Sequence, residues 1–64
     1  MTPLKKKMQE KEITQYAISF GAKVPASYLS IYEKGYPILK RHHKEAIAKF
    51  LGEKIEDVFP EEGK

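Results

Sequence analysis

Proline and glycine set the limits of every regular element this chain can form. There are 4 of each, at Pro3, Gly21, Pro25, Gly35, Pro37, Gly52, Pro60 and Gly63. Proline starts helices and interrupts them; glycine commonly ends them in the left-handed conformation. No stretch alternates polar and apolar residues long enough to claim a strand. The punctuation predicts an all-α fold: a small bundle of five short helices with tight connections.

Thr2-Pro3 is a good helix start, because Thr accepts from an orphan N–H and Pro suits the first helical position. Leu4 and Met8 then share one face of a helix over residues 3–11. Thr14 starts a second helix over residues 15–21 or 22. Ile13 before it is placed to staple onto Ile18. Pro25 opens a third helix that carries Leu29 and Tyr32 inward and ends at Lys34, before Gly35. Residues 40–51 form a fourth, with Ile47, Ala48 and Leu51 inward and Gly52 as terminator. A short fifth element puts Ile55, Val58 and Phe59 on one side until Pro60 stops it. Residues 60–64 are expected to be a loose tail after a domain spanning 1–59.

At 64 residues there is room for one domain, and a core this size buries only about 60% of the unfolded surface. Cysteine is absent, which removes disulfides and Cys-based zinc sites and suits a reducing, cytoplasmic setting or no dependence on redox at all. The longest uncharged runs, 13–22 and 24–32, are far short of the roughly 20 apolar residues a bilayer span needs. Charge at Lys5-Lys6-Lys7 is followed by no long apolar stretch, so no signal peptide is expected. The formal charge of +3 permits an anionic partner. Ser, His and Glu occur without the spacing of a nucleophile, base and orienting group, so an enzyme is not expected. Nor is a cofactor or a small-molecule ligand.

The link between helices two and three is only Ala22, Lys23 and Val24. So short a connection predicts a steep crossing, the geometry of a helix-turn-helix whose second helix projects into a DNA major groove. A small helical bundle with a tight corner satisfies the same spacing.

Residues in register separate the two. Ile13-Thr14-Gln15, Ile18, Val24, Ser27, Leu29-Ser30, Glu33 and Gly35 resemble the Cro/CI-type helix-turn-helix domain (the XRE family, lambda-repressor-like). The likeness runs without a gap over residues 4–59, through Ile47-Ala48, Leu51-Gly52 and the closing Val58-Phe59. It implies a role for Gln15 at the start of helix two, where the family's Gln bonds a phosphate, and helix N-termini attract phosphate on physical grounds too. Thr14 reads as a cap. Ala26, Ser27, Ser30 and Ile31 match the outward positions of the family's recognition helix, and Tyr28 is expected to point outward beside them. Serine hydroxyls can bond base edges; Ala26 and Ile31 can pack on thymine methyls. The set lacks Arg, Lys, Asn and Gln, so direct readout is modest and DNA shape contributes. Lys34, Tyr36, Lys40 and Arg41 lie where family members contact the backbone, and each cation there releases counterions. A solvated charged loop is the alternative for those four. Glu33 is expected to hold structure.

Three positions depart from the family pattern. Lys23 stands where Gly usually makes the turn, at a cost on the order of 1 kcal/mol if φ is positive. Pro25 replaces the usual Ser or Thr cap, and Glu53 falls at a normally apolar position. His42-His43 has no metal-ligand spacing, because adjacent helical residues point about 100° apart. Either ring can offer a pH-dependent phosphate contact. Lys5-Lys6-Lys7 reads by default as a solvated face.

The resemblance implies a sequence-specific DNA-binding transcriptional regulator, a repressor or autoregulatory switch of phage, plasmid or mobile-element type. It would work as a homodimer on a pseudo-palindromic double-stranded operator, or within a larger assembly; the surface remaining for a dimer is helix five and the tail around Ile55, Val58 and Phe59. The competing reading is a protein-interaction module on the same fold, an antitoxin or adaptor. That reading draws on Tyr16, Tyr28, Tyr32 and Tyr36, since tyrosine is enriched at interfaces.

Overall fold

The computed structural model describes residues 2–63. Within them the chain is all-helical: α1 Pro3–Glu10, α2 Gln15–Ala22, α3 Ala26–Glu33, α4 Arg41–Leu51 and α5 Ile55–Val58. None of these helices is long and apolar enough to cross a membrane.

Local chemistry explains the boundaries. Lys5 N–H donates to Thr2 Oγ1 at 3.1 Å, and Ala17 N–H donates to Thr14 Oγ1 at 3.1 Å, so both threonines cap as expected. Gly35 and Gly52 take φ of +99° and +72°, each just past a helix end. Two helices start one residue later than the sequence suggests. Pro25, at φ −54° and ψ 136°, is the cap of α3 and gives it no side-chain acceptor. Lys40 precedes α4, and its backbone N–H donates to His43 Nδ1 at 3.2 Å, so the imidazole serves as the reaching-back half of a cap.

The core is one cluster: Leu4 from α1, Ile18 from α2, Val24 from the link, Leu29 from α3, Leu39 from the next link, Ile47, Ala48 and Leu51 from α4, then Val58 and Phe59. Each helix gives one to three residues to it, as short amphipathic helices must. Met8, Ile13 and Ile55 pack partly buried against its edge.

Residues 60–63 are not loose. Pro60–Gly63 winds into a 3-10 turn pinned by charge (Lys64 lies outside the described residues). Lys44, only 8% exposed, donates to Glu61 at 3.0 Å and to Glu62 at 3.1 Å, with its ammonium 5.8 Å from the centre of the Phe59 ring. Arg41 Nη1 donates to Glu62 at 3.1 Å, and the Tyr32 hydroxyl donates to Glu61 at 3.1 Å. A cation with a buried stem demands neutralisation, and the two glutamates supply it. Burial of Lys44 opposes its charging, but Glu61 and Glu62 outweigh that and raise its pKa. Burial likewise opposes ionisation of Glu61. Its own backbone N–H, Lys44 and Tyr32 prevail and hold the carboxyl below the usual range. The Tyr32 phenol is pushed above its ordinary value by burial first, then by Glu61 and Glu33.

Glu53 is equally explicable. Its carboxylate bridges Lys7 at 3.4 Å and Lys11 at 3.1 Å, tying the end of α1 to the α4–α5 corner. Lys11 is the first of the causes that lower its pKa.

Candidate nucleic-acid interface

The link from α2 to α3 turns without glycine. Lys23 sits at φ +58° and ψ +42°, and the N–H groups of Lys23 and Val24 both donate to Ser19 O. The left-handed residue costs on the order of 1 kcal/mol, which the full burial of Val24 offsets (1% exposed). Tyr28 N–H then donates to Pro25 O at 3.0 Å, closing the first turn of α3.

This geometry brings Gln15 and Ser30 together. Gln15, half-buried at the first position of α2, donates from Nε2 to Ser30 Oγ at 3.0 Å. The bond ties the start of α2 to the middle of α3 and fixes the amide beside the free N–H groups of the first turn of α2. An open groove of about 420 Å³ runs alongside, lined by Lys5, Met8, Gln15, Ser30, Glu33 and Lys34 among others. Glu33 holds structure there: the Thr2 hydroxyl donates to its carboxylate at 2.6 Å, joining α1 to α3.

The outward face of α3 is narrower than expected. Ser27 and Ser30 are exposed, while Ala26 and Ile31 are half-buried. Tyr28 does not point freely outward; it is half-buried, edge-on to His43 with ring centres 5.7 Å apart. The reason is the cap of α4, which sets His43 beside α3. Tyr32, expected inside, is half-buried and edge-on to Phe59.

After α3 the chain exposes Lys34, Tyr36, Lys40 and Arg41. Among the described residues Lys34 and Lys40 form no ion pair. Arg41 does, with Glu45 at 3.6 Å and Glu62 at 3.1 Å. His43 is committed to the Lys40 cap. Its pKa is lowered, by burial first and then by His42 and Lys40. The described residues contain no group of three possible metal ligands.

Little of the apolar surface expected to pair faces outward. Val58 and Phe59 are 0% exposed and Ile55 is partly buried, because α5 closes the core. The large apolar side chains that do face outward are Tyr16, Phe20, Tyr36 and Phe50. Phe20 and Phe50 were not singled out by sequence reading. Phe20 stands four residues after Tyr16 on a helix with no charge, and that period was the available signal.

Comparison with protein-family models, curated proteins and solved structures finds no match to this chain.

Proposed function

We propose that α2 and α3 act as a helix-turn-helix and that the protein is a sequence-specific regulator of transcription binding double-stranded DNA. The observation that carries this reading is the Gln15–Ser30 bond, which holds a phosphate-seeking helix start against a helix exposing two small hydroxyls. Ser27 and Ser30 would face base edges, with Ala26 and Ile31 contributing only the parts of their methyl groups left outside. The N–H groups opening α2, with Lys34 and Lys40, would hold phosphates. Arg41 can join them once it releases Glu62.

The molecule measures 28 Å along its longest axis, less than the ~34 Å of one DNA turn. One copy therefore addresses a single half-site, and two copies on a pseudo-palindrome are the working species. Repression by occlusion follows from that footprint. Selection of bound duplexes from a random pool tests the reading. An enriched palindrome is expected, and affinity should fall with salt at a log–log slope of roughly −3 per copy, about −6 for the pair, from about three phosphate contacts each. Recovery of no preferred sequence together with salt-independent binding would refute it.

A second reading, a protein-interaction module, is favoured by Tyr16 and Phe20, which stand 77% and 90% exposed.

A further inference from the structure

α2 carries no charged side chain; its eight residues read Gln-Tyr-Ala-Ile-Ser-Phe-Gly-Ala. Its inner side gives Ile18 to the core, yet its outer side is apolar as well. Tyr16 and Phe20 stand there four residues apart, 77% and 90% exposed, with Ala17 and Gly21 exposed beside them. Phe50 of α4, 41% exposed, extends the patch. Its ring lies so closely over Gly21 that a Cβ at that position would overlap it. A helix apolar on opposite sides is normally covered on both.

We propose that this face pairs with its counterpart on a second copy of the chain, α2 against α2 across a two-fold axis. Charge supports that occupant. One residue in three of the chain is charged, yet the patch holds none. An acidic or basic partner would surrender hydration there and gain no ion pair, whereas the patch opposes no like charges when it meets itself. Shape supports it too. Phe20 projects, and Ala17 leaves a shallow step three residues earlier on the same helix. A two-fold places Phe20 of each copy on the step of the other, the reciprocal exchange that an isologous contact requires.

Area sets the strength. Aromatic side chains bury about 150–250 Å² each, so the exposed parts of Tyr16, Phe20 and Phe50 supply roughly 300–500 Å² per copy. A standard interface buries about 800 Å² per partner. Pairing is therefore weak and concentration-dependent, with a Kd of roughly 10 µM to 1 mM. Two copies already belong to the DNA reading. The face is what is new, and it is measured without DNA, so either can fail alone.

The test is sedimentation equilibrium of the full chain from about 10 µM to about 2 mM, without DNA. The mass should climb from monomer towards dimer and stop there. Phe20→Lys should stay monomeric throughout, with an unchanged far-UV spectrum because the side chain is exposed; Tyr16→Lys provides the same readout. Ala17→Leu fills the step and should weaken pairing at least about fivefold. A monomer at every concentration would overturn the proposal, as would growth beyond dimer or a dimer indifferent to both lysine variants. Tighter association of Ala17→Leu would also overturn it, since added apolar area strengthens mere adhesion.

Discussion

Replacing Lys44 with Met asks whether charge or packing holds the C-terminal turn. Met keeps an unbranched stem in a site that exposes 8% of the residue, so contact with Phe59 survives and only the ammonium is lost. With it go the bonds to Glu61 and Glu62. A charge-assisted bond contributes about 1.5–3 kcal/mol when shielded from water, and an exposed pair about 0.2–1 kcal/mol. The Glu62 side chain, 19% exposed, belongs near the bottom of the first range, and Glu61, 46% exposed, in the second. Relief of the desolvated ammonium offsets part of the sum. The expected loss is about 1–2 kcal/mol, or roughly 5–15 °C in Tm for a domain of this size.

The pH dependence gives an independent check. Glu61 has a lowered folded pKa, so its contribution is complete above the unfolded value of about 4.3 and disappears as pH falls through the folded one. Lys44 has a raised pKa, so its contribution is complete below about 10.4 and disappears as pH rises through the folded value. Urea unfolding followed by circular dichroism should therefore show the full gap between wild type and variant near pH 7. As pH falls through the folded pKa of Glu61 the gap should narrow, because wild type then keeps a desolvated cation without that carboxylate. A variant as stable as wild type at neutral pH, or a gap unchanged in acid, would refute the argument.

Three further outcomes are expected. His43, whose pKa is depressed, should make stability fall as pH drops below about 6.5, since protonation ends its acceptance from Lys40; urea midpoints of His43→Ala should lose that acid limb. Gln15→Ala should weaken binding to many DNA sequences about equally, whereas Ser27→Ala should change sequence preference; because Ser30 accepts from Gln15, the effects of Gln15→Ala and Ser30→Ala in titrations should not add. Lys23→Gly should raise the thermal midpoint by a few degrees, relieving a left-handed residue at about 0.5–1 kcal/mol, and a lowered midpoint would contradict the strain.

What was legible in the sequence was local. Thr2 and Thr14 cap through N–H groups three residues away, and Gly52 ends α4 through its own φ, so a short window carries each signal. The core alternates at helical spacing and was largely readable for the same reason, although Leu39, in a link without periodicity, was not. The turn at 60–63 looked loose because its anchors, Arg41 and Lys44, lie about twenty residues earlier and meet it only when α4 packs. Tyr28 was placed outward by helical phase alone; His43 arrives from another helix to cover it. At the candidate interface, the exposure of Ser27 and Ser30 was legible and the bond joining Gln15 to Ser30 was not, since nothing local brings positions fifteen apart together.

The closeness of the two described ends has a practical result. Thr2 and Glu61 line one depression with Gly35 and Tyr36, beside the basic stretch that follows α3. A bulky group attached at Thr2 or Glu61 would stand next to that stretch and crowd any duplex approaching it. Fluorophores and other labels for binding measurements therefore belong away from Thr2 and Glu61, so that this approach stays open.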